Sequence, residues 1–148
     1  MNRLMMKKRK KKAGFTLLEL MIVIAIIGIL AAILTPVLIR GRFKAYHTAC
    51  VQNERNIASA LELYALENSQ LYPDALTDLN VGSDPFLRGI PICPSTNVDY
   101  TSSYSPSPDH RTYEVVCPGF HEFQLPGLVD DTYPRAINGI IYQYNSNE

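Results

Sequence analysis

KKAGFTLLELMIVIAIIGILAAILTPVLIR, residues 11–40, decides the architecture of this 148-residue chain. From Phe15 to Ile39 it holds one ionisable residue, Glu19. As a helix rising roughly 1.5 Å per residue, that segment reaches about 37 Å, enough to cross a bilayer. Just ahead of it, Arg3, Lys7, Lys8, Arg9, Lys10, Lys11 and Lys12 supply seven of the fourteen basic residues. A basic flank stays cytoplasmic and directs the remainder of the chain across the membrane. Arg40, Arg42 and Lys44 on the far side weaken this asymmetry without reversing it.

An ordinary secretory signal has an apolar core of roughly 7 to 15 residues closed by a small-residue cleavage site. This apolar run is longer, and the small residue at its boundary, Gly14, precedes it. An uncleaved signal anchor would account for the lysines and the hydrophobicity, but not for G-F-T-L-L-E as a unit.

The segment resembles the cleavage and methylation region of type IV prepilins and pseudopilins. The resemblance implies that a prepilin peptidase cuts between Gly14 and Phe15 on the cytoplasmic side and methylates the new amino group of Phe15. It also implies that Glu19, four residues past the cut, pairs with the terminal ammonium of a neighbouring subunit during assembly. A carboxylate in an apolar helix costs a few kcal/mol on insertion scales, so it asks for a partner. Snorkelling of Glu19 to the headgroups is the plainer alternative. Pro36 lacks an N–H and crowds the carbonyl of Ala32, so a kink or loosening is expected there. In filaments the resemblance implies local melting near Pro36, with Gly28 and Gly41 as further weak points.

Beyond the membrane-length segment, Ile57, Leu61, Tyr64 and Ala65 keep a helical spacing while Arg55, Ser59 and Glu62 fall elsewhere. The helix is therefore expected to run from about Phe15 to about Glu67. ALELYALENSQLYPDALTDL resembles the corresponding region of major pseudopilins, with the chain reversing after Pro73 so that Leu76 and Leu79 cover the helix. Strands are expected at Tyr100 to Tyr104, Thr112 to Cys117, Phe120 to Leu125 and Ile140 to Tyr144, separated by Ser105-Pro106-Ser107-Pro108, Pro118-Gly119 and Asn138-Gly139. The expected fold class is α+β, pilin-like, with a long N-terminal helix packed on a small antiparallel sheet. The expected divisions are a leader over 1–14, a transmembrane and polymerisation helix over 15–39, its amphipathic continuation over 40–68 and a globular head over 69–148.

From Ala45 onward four arginines oppose thirteen carboxylates, a balance of −9 that argues against a nucleic-acid surface. Cys50, Cys93 and Cys117 lack the short paired spacings of a zinc site, so a disulfide is the expectation. Cys93 and Cys117 each precede a proline, and closing the loop between them is worth roughly 3 kcal/mol in the chain-entropy view. That bridge is favoured over a pairing with Cys50, which is left as a buried residue or free thiol. A disulfide would place the head outside the reducing cytoplasm.

His47, His110 and His121 are scattered, with no nucleophile placed beside them; His110 and His121 read as surface polar residues, and no enzymatic function is expected. Type II secretion major pseudopilins bind calcium in a C-terminal loop, which makes Asp130 and Asp131 weak calcium ligands by resemblance. A solvated acidic turn is the favoured reading there, since a hard cation wants six to eight oxygens. No other cofactor is expected.

The functional expectation is a structural filament subunit, a major pilin or major pseudopilin. Its partners would be copies of itself, other pilin-like subunits, the prepilin peptidase, an inner-membrane assembly platform and, before assembly, the membrane. It would be a single-pass inner-membrane protein with an extracytoplasmic head, later part of a periplasmic or extracellular filament. Glu19 argues against the minor tip pseudopilin, which the family distinguishes by the lack of this glutamate. A membrane-tethered binding domain that is processed like a pilin without polymerising is the rival.

Overall fold

The computed structural model describes residues 14–119, 121 and 132–143. The described residues divide into two compact units that part between Val37 and Leu38. One helix, α1, runs from Leu17 to Glu67 and contributes to both. It continues through Pro36 without interruption, so the loosening expected there does not break it. The Thr35 hydroxyl donates to the Ala31 carbonyl over 2.7 Å beside the proline.

Among the described residues of the first unit the large apolar side chains are exposed. Leu17 is 76% exposed, and even Val23 is 43% exposed. The segment has the length and composition of a membrane span, with a mean hydropathy of 3.0. In a bilayer such a helix is stable because its interior backbone groups, the Ala32 carbonyl opposite Pro36 apart, are satisfied within it.

In the second unit α1 buries one face. His47, Cys50, Val51, Glu54, Ile57, Ala58, Ala60, Leu61 and Ala65 are its buried residues, while Arg55 and Ser59 point to solvent. The spacing from Cys50 through Glu54, Ile57 and Leu61 stays on one side of a 3.6-residue turn. The helix ends as Ser69 and Gln70 take left-handed backbone angles, and the Gln70 amide returns to the Ala65 carbonyl at 2.8 Å. Leu76 and Leu79, in a 3-10 turn over Leu76–Asn80, fold back fully buried into the same core.

Among the described residues the sheet holds four antiparallel strands in sequential order: β1 Tyr104–Pro106, β2 Tyr113–Val116, β3 Arg135–Ile137 and β4 Ile140–Tyr142. In β2, Tyr113 and Val115 are buried and alternate with half-buried Glu114 and Val116. The same two-residue period carries Cys117 inward just beyond the strand. Tyr113, Val115 and Ala136 from the sheet join Cys50, Ile57 and Leu61 of α1 in one core.

The expected strand at Tyr100 to Tyr104 is displaced. Thr101–Ser103 forms a 3-10 turn, and the strand begins at Tyr104 and includes Ser105 and Pro106, which the sequence presents as a break. Pro106 is tolerated because, among the described residues, β1 is paired on one side only, as an edge strand is. β3, three residues long, is not among the expected strands; the ladder with β2 forms it. Of Phe120 to Leu125 only His121 is described.

Asn138 and Gly139 connect β3 and β4 with φ of +47° and +80°. Positive φ at both central residues is what a two-residue hairpin turn requires. Gly139→Ala would add a Cβ 3.3 Å from Glu62 Oε1 at a backbone angle that L residues resist. A loss of about 1–2 kcal/mol in urea unfolding is expected, and an unchanged midpoint would count against the turn.

Candidate functional site

Two groups of residues carry the chemistry, one in each unit. In the first, Gly14 is exposed, with no atom within 4 Å of where a Cβ would stand, and Phe15 is 77% exposed. Thr16 and Glu19 bond reciprocally. The Thr16 amide and hydroxyl donate to Glu19 Oε2 at 2.8 and 2.9 Å, and the Glu19 amide donates to Thr16 Oγ1 at 3.2 Å. This is a capping box, in which two otherwise orphaned amides at a helix start find acceptors. The sequence signal is Thr-x-x-Glu at 16–19, which a reading of Glu19 as a bare carboxylate misses.

In the second unit the three cysteines come together. Cys50 Sγ lies 3.4 Å from Cys93 Sγ, and Cys93 Sγ lies 3.7 Å from Cys117 Sγ. All three are buried free thiols, so the expected Cys93–Cys117 bridge is not formed, and Cys50 is not set apart from the pair. His121 Nε2 stands 3.2 Å from Cys117 Sγ. His121 is fully buried, contrary to its reading as a surface residue. The four ligand atoms lie within 4.8 Å of one another, a convergence that the spacing of the cysteines along the chain does not suggest. Spacing fails because α1, the loop at 93 and the end of β2 each bring one cysteine.

Two further groups lie around these residues. Glu54, one helical turn after Cys50, is fully buried, with no hydrogen-bond partner for either carboxylate oxygen among the described residues. Burial, and secondarily the nearby Cys93, pushes its carboxyl up to about 9, so it is neutral at physiological pH. His47 Nε2 lies 3.0 Å from the Gln143 carbonyl, and its ring meets that of His121 edge-on at 5.4 Å. Burial first, and His121 second, hold the His47 imidazole below its ordinary range. His110, by contrast, is half exposed, its Nδ1 3.0 Å from the Tyr72 carbonyl. Asp130 and Asp131 lie outside the described residues.

A family model for the prokaryotic N-terminal methylation motif matches residues 9–35, which include Gly14, Phe15 and Glu19. The chain is 31% identical over 137 residues to type II secretion system core protein G of Klebsiella pneumoniae, covering 88% of this chain and 94% of that one. The protein of the same name from Klebsiella michiganensis is 44% identical over 137 residues, covering 84% and 93%. The chain belongs to the type II secretion system core protein G family.

The core protein G of Vibrio cholerae is 44% identical over 68 residues, 46% of each chain. No solved structure matches significantly. The N-terminal methylation motif of this chain and its likeness to core protein G along most of its length point the same way, to a pseudopilin. The long apolar helix and small antiparallel sheet of this chain have the pilin-like form expected for such a protein, and the helix suits an inner-membrane anchor.

Proposed function

We propose that this pseudopilin is cut between Gly14 and Phe15, methylated on Phe15, and polymerised through residues 15–39 as the major subunit of a type II secretion filament. The observation that carries the reading is the uncovered apolar segment of α1, preceded by exposed Gly14 and Phe15 and capped by Glu19. Its side chains need either lipid or other apolar helices around them. Before assembly they lie in the inner membrane, with the basic leader cytoplasmic and the head outside.

Glu19 has two roles in this reading. In the precursor its carboxylate caps α1 through Thr16, which reduces the cost of carrying it near an apolar core. Cleavage creates an ammonium on Phe15, the residue before Thr16, and a subunit entering the filament offers that charge to Glu19 of a neighbour. Pairing relieves both charges, whereas removing one strands the other. Pro36 marks where the helix, lacking one backbone bond, loosens on assembly.

The test is co-expression with a prepilin peptidase and a secretion assembly set, comparing the wild type with Glu19→Leu. Both should give a mature protein beginning at methylated Phe15 by mass spectrometry. Sheared filaments should fall at least tenfold in the variant. A different mature start, or filaments undiminished in Glu19→Leu, would sink the reading.

A further inference from the structure

We propose that Cys50, Cys93, Cys117 and His121 form a closed structural zinc site in the head. A tetrahedral zinc with Zn–S near 2.3 Å and Zn–N near 2.0–2.1 Å has edges of about 3.8 Å between sulfurs and about 3.6 Å between sulfur and nitrogen. The distances of 3.4 and 3.7 Å between sulfurs and 3.2 Å from Cys117 Sγ to His121 Nε2 lie close to those edges. Three soft sulfurs and one imidazole are the donor set that zinc prefers over calcium or magnesium.

The surroundings fit bound thiolates. The Ser95 hydroxyl lies 3.1 Å from Cys93 Sγ, and the Tyr100 hydroxyl donates to Cys117 Sγ at 3.3 Å. Outer hydroxyl donors of this kind stabilise metal-bound sulfur. His121 turns Nε2 toward the sulfurs, and its buried Nδ1 has no partner among the described residues. Gly119 leaves the space open: a Cβ there would stand 2.7 Å from Cys93 Sγ and 2.9 Å from His121 Nε2.

All four residues are buried, Cys117 the most exposed at 3%. A site with four protein ligands and no solvent-facing position is structural, not catalytic. A disulfide would use two of the three sulfurs and leave a thiol and an imidazole buried beside it. Zinc engages all four. Binding one Zn²⁺ releases three thiol protons and leaves the centre with a net charge of −1. It ties the helix, the loop at Cys93 and the end of β2 together, the kind of staple small domains need.

The full-length protein, purified in detergent without chelator or reductant, tests this by elemental analysis and thiol alkylation. One zinc per chain is expected, with three iodoacetamide adducts after denaturation in chelator. Cobalt exchange should give a tetrahedral thiolate spectrum, and chelation should lower the melting temperature by more than about 10 °C. His121→Ala should weaken zinc binding at least tenfold. A disulfide in metal-free wild type, or three free thiols that take up no added zinc, would overturn the site. An unchanged cobalt spectrum in His121→Ala would overturn the four-ligand set.

Discussion

Gly119→Ala is expected to destabilise the head by about 3 kcal/mol, at the upper end of what overpacking a well-filled interior costs. The added Cβ would meet Ser95 Oγ at 2.6 Å, Cys93 Sγ at 2.7 Å and His121 Nε2 at 2.9 Å. Each is a side-chain atom that could rotate away alone. They are not independent, however, because Ser95 Oγ bonds Cys93 Sγ and Cys93 Sγ touches the sulfurs of Cys50 and Cys117. Moving one breaks the contacts of the next, and Cys93 and His121, both fully buried, have nowhere exposed to turn. For a head of this size the loss corresponds to a melting temperature lower by roughly 10–20 °C. A variant that melts within a degree or two of the wild type would mean that the 117–121 segment can shift freely. Glycine at 119 is required for space, since its backbone angle is not in the left-handed region.

Leu61→Ala should cost about 2–5 kcal/mol, a large share of the 5–15 kcal/mol that holds a typical domain together. Leu61 is fully buried where α1 meets the sheet, in one core with Ile57, Leu76, Leu79, Tyr113 and Val115. Truncation removes buried methyl groups and leaves a cavity among elements that come from distant parts of the chain. The internal control is Leu63→Ala. Leu63, two residues further along the same helix, is 53% exposed and should change stability by no more than about 0.5 kcal/mol. Chemical unfolding of the two variants under one set of conditions decides the matter. Equal losses would show that the burial pattern of α1 is wrong, whereas filament assembly has no bearing on the comparison.

The burial of Leu61 is legible in the amino-acid sequence alone, because helical periodicity is a local property. The same is true of the end of α1 near Glu67 and of the Asn-Gly turn at 138–139, where backbone preference alone selects the conformation. The N-terminal segment is equally legible, since a membrane-length apolar run with a basic flank needs no tertiary partner to be recognised. Two features escape a local reading for different reasons. Glu19 stands out as a lone carboxylate in an apolar run, which hides its pairing with Thr16 at the capping position three residues earlier. β3 escapes because three residues, Arg135 to Ile137, carry too little pattern to stand out, and they become a strand only against β2.

Contiguous residues and short-range geometry suffice for the family, the long helix, its membrane-length apolar run and the place of Gly14, Phe15 and Glu19 within the N-terminal methylation motif. The meeting of the cysteines depends on packing between distant parts of the chain. Cys50 and Cys93 are 43 positions apart and Cys93 and Cys117 are 24 apart, yet the sulfurs of each pair lie within 4 Å. One arrives on a helix face, one in a loop and one through the alternation of a strand. Spacing along the chain cannot report such a convergence, because packing of the helix against the sheet creates it.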